Sequence, residues 1–147
     1  MKALTLAEGD EVIGMAVCRP EGLVLTVTET GYGRLSELSD YRVQSRGGKG
    51  LTNYHTETFG NVAAIRVVDL EDDVILIASD GVIIRMSAAE IRQCRRPSKG
   101  VRVMRVDDGA RIVSLARAPH EEPEEEAEAG EEGGEPEATA AETAPAE

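Results

Sequence analysis

"LVLTVTETG" occupies residues 23–31, and fifty residues later "DVILIASDG" occupies 73–81. Both are short runs rich in Val, Ile and Leu that end in polar residues and a glycine, the composition of a strand running into a tight turn. The same shift of fifty lays Arg42 over Arg92, Arg46 over Arg96 and Lys49 over Lys99. The interval of 19 residues from Gly31 to Gly50 recurs between Gly81 and Gly100. "VIGMAV" (12–17) falls on "VAAIRV" (62–67) and then on "IVSLAR" (112–117). Two full units, near 12–61 and 62–111, and a further strand at 112–117 are therefore written into the chain. A fixed period of this length marks a repeat architecture.

Each unit reads as strands. "EVIGMAV" (11–17), "LVLTVTE" (23–29), "AAIRVV" (63–68), "DVILIAS" (73–79), "GVIIRM" (81–86) and "ARIVSLA" (110–116) are short, apolar and bounded by Gly, Asp or Glu. "ETGYGR" (29–34) and "SDGVII" (79–84) put glycine at the tip of a hairpin. A polar segment follows each hairpin, "SELSDY" (36–41) or "SAAEI" (87–91), and is expected to make one helical turn. Then come a basic loop and another strand, "GLTNY" (50–54) or "GVRVMRV" (100–106). No segment keeps a helical period beyond about two turns. The fold class is all-β, with propeller-like blades of about 50 residues. Two blades and part of a third do not close a ring, and 3% aromatic residues with no Trp bury little at open blade edges. The expectation is an incomplete portion of a larger disc, and so a piece of a larger subunit.

Charge divides the chain in two. The formal net charge of -12 resides in residues 120–147, which hold 12 glutamates and no Lys or Arg. The remaining 16 acidic residues balance 16 Lys plus Arg. A segment of that composition repels itself and buries no apolar surface, so 120–147 is expected to be a disordered acidic tail behind a folded body of residues 1–119. Cys18 and Cys94 have no paired spacing, which fits a reducing cytosol and argues against a metal site. No signal-peptide core and no run of about 20 apolar residues is present, so a soluble, cytoplasmic protein is expected.

The chemistry lies in the loops. "QSRGGKGL" (44–51) sets Arg46 and Lys49 around glycines that let the backbone approach another surface closely. Between Arg85 and Arg105 there are seven cationic residues and one acidic residue, Glu90. If the units stack as blades, equivalent loops fall at equivalent rim positions and form a discontinuous basic belt. Such a belt suits the phosphate backbone of a nucleic acid without reading its bases. Some of the arginines are expected to pair instead with "DLEDD" (69–73) or "DDG" (107–109). The glycine loop is not a nucleotide site, because Lys49 is followed by Gly50 and a strand rather than by Ser or Thr opening a helix. His55 stands alone near a turn, and no paired base and nucleophile is found. No catalytic residue, metal ligand or cofactor is assigned.

"GYGRLSELSDYRVQSRGGKGL" (31–51) together with "ASDGVIIRMSAAEIRQCRRPSKGVRVMRV" (78–106) resembles the C-terminal domain of the DNA gyrase A protein, as do "EGDEVIGM" (8–15) and the acidic tail. The resemblance implies the last two blades of a six-bladed β-pinwheel that wraps DNA around its basic rim and supports negative supercoiling. It implies double-stranded DNA, the rest of the gyrase A protein, and the gyrase B protein as partners in a bacterial, nucleoid-associated enzyme. The cleavage and ATPase domains of that enzyme, an isomerase, would lie elsewhere. Gln44, Arg46, Gly47, Gly48, Lys49 and Gly50 match the family's Q-R-R-G-G-K-G box, with Ser45 at its second position; the copy at 95–100 keeps Arg96, Lys99 and Gly100. Arg34, Arg42, Arg85, Arg92 and Arg95 complete the candidate DNA-binding set. The alternatives are the related C-terminal region of topoisomerase IV, whose repeats are degenerate, and a β-propeller that holds an acidic protein partner.

Overall fold

The computed structural model describes residues 1–120, and the acidic segment 121–147 lies outside them. Strands β1 (Leu23–Thr28) and β2 (Tyr32–Glu37) form the first hairpin, and β3 (Val62–Val68) pairs with the other side of β1. Strands β4 (Asp72–Ala78) and β5 (Ile83–Ser87) form the second hairpin, with β7 (Ile112–Pro119) on the other side of β4. All these pairings are antiparallel. The short β6 (Val101–Arg102) lies between β5 and β7 in the chain.

The fifty-residue period holds in detail. The Gly31 N–H donates to the Thr28 carbonyl and the Gly81 N–H to the Ala78 carbonyl, both at 3.1 Å. The ladder slips between Val27 and Thr28 in one sheet and between Ile77 and Ala78 in the other. A 3₁₀ turn follows each hairpin, at Leu38–Asp40 and Ala88–Glu90. The one α-helical turn among the described residues, α1 (Thr56–Phe59), has no counterpart in the sequence pattern.

The second unit completes the first. β6 pairs with β2, not with its own hairpin, so the sheets run β3-β1-β2-β6 and β5-β4-β7. Upstream of β6 the Leu35 N–H donates to the Arg92 carbonyl (3.1 Å), and the Cys94 N–H donates to the Leu35 carbonyl (2.8 Å). Downstream, the Val103 N–H donates to the Gly31 carbonyl (2.9 Å). Residues 92–94, through a parallel bridge of Gln93 to Leu35, and 101–103, antiparallel, thus cover the outer edge of the first hairpin. The approach is close enough to require glycine: a Cβ on Gly31 would lie 2.0 Å from the Met104 carbonyl oxygen, and one on Gly100 2.2 Å from that of Gly33.

This exchange explains where the expected strands do not form. No strand forms at 11–17 or at 50–54, and of 100–106 only Val101–Arg102 is in strand. Segment 11–17 is the counterpart of β3, and 50–54 is the counterpart of the region around β6. β3 pairs with the hairpin of its own unit and β6 with that of the preceding unit. By the same offset, 11–17 and 50–54 would both need a hairpin ahead of β1, and none exists among the described residues. Val12, Ile13, Met15 and Val17 are accordingly exposed.

One core joins the units. Leu25, Val27, Leu35 and Val68 pack with Val74, Leu76, Ile112 and Leu115, with Ala88, Ile91, Val103 and Met104 closing it. The inner strands β3 and β7 lie against each other, and the Ile112 N–H donates to the Glu29 carbonyl at 3.0 Å. Burial of such side chains contributes roughly 1.5–3 kcal/mol each against full exposure. Thr26 and Thr28 are buried where the second unit has Leu76 and Ala78. Their hydroxyls are satisfied, Thr26 by the Asn53 side-chain amide (3.0 Å) and Thr28 by the Tyr32 N–H (3.1 Å).

Candidate nucleic-acid interface

The two basic loops follow the 3₁₀ turns and lead into the exchanged strands. Arg42, Gln44, Arg46 and Lys49 are exposed in the first; Arg92, Arg95 and Lys99 are exposed in the second. Gly47 and Gly50 hold φ near +80 and +87, a region that costs a residue bearing a Cβ about 1–2 kcal/mol. The Gly47 N–H is occupied by the Ala3 carbonyl (2.8 Å), and the Gly48 carbonyl accepts from the Thr5 N–H (2.9 Å). Backbone donors at this turn therefore serve the N-terminal segment in part. Arg46 itself reaches the sulfur of Met1.

Arg34 is a different kind of residue. It is fully buried, so it is withdrawn from the candidate contacts. Its Nε donates to Ser36 Oγ (2.9 Å), Nη1 to the Ser98 carbonyl (3.0 Å) and Nη2 to the Asn53 carbonyl (2.6 Å), while the guanidinium lies 4.3 Å from the Tyr54 ring centre. No carboxylate pairs with it among the described residues. Arg34 fastens the first hairpin to the second unit's loop. In the second unit the position is Ile84, so the repeat itself predicts no shared cationic role there.

Arg85 is partly committed too. Its Nε lies 2.8 Å from Asp73 Oδ2, and its Nη2 donates to the Pro119 carbonyl at 3.0 Å. This is the pairing with 69–73 that the sequence allows for. Arg19 and Arg117, outside the candidate set, do the same with Asp69 and Asp72. Arg96 is half-buried: Nε donates to the Asp40 carbonyl (2.9 Å), Nη1 to the Thr52 carbonyl (2.7 Å), and the group lies over Tyr41 at 5.1 Å. It anchors one loop to the other and keeps an unneutralised charge at the junction.

The structure adds a cluster that sequence reasoning missed. Lys99 Nζ stands 4.7 Å from the Tyr32 ring centre, Arg102 stands 5.1 Å from it, and Arg102 donates to the Tyr32 hydroxyl at 3.1 Å. Phe59, from α1, meets Tyr32 edge-on at 5.8 Å. The hydrogen bond from Arg102, then that from Lys99, holds the Tyr32 phenol below its ordinary pKa. Burial does the reverse to Tyr54 and raises it, against the opposing effect of Arg34. A sequence signal existed for Arg102, one of the seven cations between 85 and 105. The missing information was that β6 pairs with β2, which sets Arg102 opposite Tyr32.

Exposed cations backed by aromatic rings, beside glycine-bearing turns, suit anion binding. No group of His, Cys, Asp and Glu among the described residues has metal-binding geometry, and no helix there is long and apolar enough to cross a membrane.

The chain is 41% identical over 128 residues to the DNA gyrase A protein of Staphylococcus aureus (strain MRSA252), and 42% identical over 120 residues to that of strain NCTC 8325 / PS 47. These alignments cover 85% and 80% of this chain and 14% of each relative, so the chain spans a small part of their length. Its fold is similar to the C-terminal domain of DNA topoisomerase IV (TM-score 0.74, 18% identity, 81% of this chain and 38% of that one). It is also similar to the DNA gyrase A C-terminal domain (TM-score 0.61, 24% identity, 65% and 33%). The family model "DNA gyrase C-terminal domain, beta-propeller" matches residues 1–19, 22–69 and 72–119. The second and third matched segments start at the two hairpins, fifty residues apart, and the first, 1–19, is offset by fifty from 51–69. On sequence, repeat and fold together, the chain belongs to the DNA gyrase C-terminal domain, beta-propeller family.

Proposed function

We propose that this chain binds the backbone of double-stranded DNA without sequence preference and, as the C-terminal part of a gyrase A protein, wraps it in support of negative supercoiling. The remainder of the gyrase A protein and the gyrase B protein would supply strand cleavage and ATP hydrolysis in the bacterial cytoplasm, at the nucleoid. The observation that carries this reading is the pair of equivalent loops whose Arg42, Arg46, Lys49, Arg92, Arg95 and Lys99 make no ion pair among the described residues. Arg102 joins them, and Arg96 adds its charge at the junction. Cations that no carboxylate neutralises attract phosphate over a distance set by ionic strength. Gyrase is favoured over topoisomerase IV by the identity of 41–42% to gyrase A, since the topoisomerase IV likeness is one of fold.

Titration of the chain with a fluorescent duplex across a salt series tests this. Log affinity should fall linearly with log salt, with a slope of about -0.9 for each phosphate neutralised. Replacing Lys49 and Lys99 by Ala should make the slope shallower by close to two such increments, equally on unrelated duplexes. A flat salt response, or an affinity confined to one sequence, would overturn the reading.

A further inference from the structure

We propose that Tyr32 is a positioning residue of the DNA-backbone surface: it holds Lys99 and Arg102 as one seat for a phosphate oxygen, and its own oxygen, once ionised, takes that phosphate's place. The inference rests on the DNA reading above and adds to it a residue that carries no charge at neutral pH.

The repeat shows that the fold does not require this tyrosine. An offset of fifty puts Val82 where Tyr32 stands and Gly109 where Phe59 stands. Both rings are additions to the first unit, and both converge on Lys99. Lys99 Nζ lies 4.7 Å from the Tyr32 ring centre and 6.0 Å from that of Phe59. Arg102 lies 5.1 Å from the Tyr32 ring centre and is set opposite it by the pairing of β2 with β6. The backbone is fixed on both sides of the contact: the Tyr32 N–H donates to Thr28 Oγ1 (3.1 Å), and the Lys99 carbonyl accepts from the Tyr54 hydroxyl (2.8 Å). Lys99 and Arg102 are exposed, and neither makes an ion pair among the described residues.

The hydroxyl gives the seat its chemistry. Arg102 donates to it at 3.1 Å, and Lys99 hydrogen-bonds it as well. The phenol oxygen therefore marks a point at which one oxygen meets both cations. A phosphate oxygen, being charged, is a stronger acceptor than a neutral phenol and takes these donors from it, whereas a phenolate competes for them. Arranging two flexible side chains in advance spares part of the ordering cost that each would exact on binding. Of the other elements around the ring, β1 offers the uncharged Thr28 and α1 offers Phe59, while Glu57 of α1 makes no ion pair with either cation. Arg102 first, then Lys99, favour ionisation of the phenol, against a smaller opposing effect of burial. A bound phosphate reverses that preference. By linkage, DNA affinity falls as pH rises through the Tyr32 pKa of the free chain, which lies below the ordinary tyrosine value.

The test uses the full chain, labelled with carbon-13 at the tyrosine Cζ, and a short unlabelled duplex at low ionic strength. The Tyr32 resonance, assigned by its loss in Tyr32→Phe, is expected to titrate at lower pH than that of Tyr54 and to move to higher pH when duplex saturates the chain. In fluorescent-duplex titrations the alkaline decline in affinity should begin at lower pH in the parent chain than in Tyr32→Phe, whose remaining decline is that of its lysines. Tyr32→Val, the residue the repeat itself uses at this position, should lose about tenfold in affinity at neutral pH with an unchanged salt slope, while still unfolding cooperatively. Tyr32→Phe keeps the ring and should lose no more than about threefold. A Tyr32 midpoint that saturating duplex leaves in place, with binding intact, would overturn this inference alone, as would full affinity in Tyr32→Val. A chain that binds no duplex at any salt concentration would overturn the DNA reading and this inference with it.

Discussion

A guanidinium buried without a carboxylate must be satisfied by neutral acceptors, and Arg34 finds them in Ser36, Asn53 and Ser98, with the Tyr54 ring beneath it. Its truncation would leave the Asn53 and Ser98 carbonyls without a donor in a closed space. Arg34→Ala should lower unfolding stability by about 3 kcal/mol in urea melts, whereas Arg42→Ala, on the surface, should change it by less than about 0.5 kcal/mol. Arg34→Lys should recover little, because a single ammonium does not reproduce the fork that reaches three acceptors. In DNA titrations the order reverses. Arg42→Ala weakens binding, and Arg34→Ala does so only where the fold has been lost.

At the level of elements, the hairpins, their turns and the 3₁₀ segments were legible because each is specified within about fifteen residues of sequence. The partner of each outer strand was not. "GVRVMRV" looks like an eligible strand, but whether it pairs depends on a hairpin some seventy residues earlier, and "GLTNY" has no such hairpin among the described residues. The candidate site divided in the same way. Loop cations at equivalent positions were visible, while the burial of Arg34 and the placing of Arg102 on Tyr32 depend on the exchange. Two glycines isolate its energetic weight. Gly50 and Gly100 have similar positive φ, but only Gly100 abuts another strand. Gly50→Ala should cost about 1 kcal/mol from backbone strain alone, and Gly100→Ala at least twice that, as read from paired thermal melts.

The second sheet also carries a titratable tie. Asp73 on β4 is buried and accepts from His120 (2.8 Å) at the end of β7 and from Arg85 (2.8 Å) on β5. The hydrogen bond from His120, and then that from Arg85, lowers its pKa. A carboxyl whose folded pKa lies below its unfolded value, near 3.9, contributes stability above that value and loses it as pH falls through the folded pKa. Stability should therefore drop from about pH 5 downward. Asp73→Asn should be destabilised at pH 7 and show a flatter acid limb in denaturant melts. An unchanged acid limb would show that this tie is not strengthened by folding.

For the whole molecule, charge balance is decisive. Residues up to 119 are neutral overall, and the 12 glutamates beyond them are tethered to the end of β7. Carried on the same chain, the segment meets the loop cations without the dilution of a separate molecule, so it is expected to compete with phosphate for them. Removing residues 121–147 should tighten DNA binding, most at low ionic strength where screening is weak. Fluorescent-duplex titrations of the full and shortened chains measure this directly, and equal affinities at every salt concentration would leave the segment a solubilising role alone.

The placing of the tyrosines has an optical consequence. All three belong to the first unit, and the chain has no tryptophan to mask them. Tyr32 lies under Lys99 and Arg102, Tyr41 under Arg96, and the Tyr54 hydroxyl donates to the Lys99 carbonyl at 2.8 Å. Every ring is thus immobilised by a group of the second unit. Near-ultraviolet dichroism, which requires aromatic rings in a fixed asymmetric setting, becomes a gauge of docking between units, while the far-ultraviolet signal follows the strands themselves. A state with intact hairpins and separated units would be dark in the first band and bright in the second.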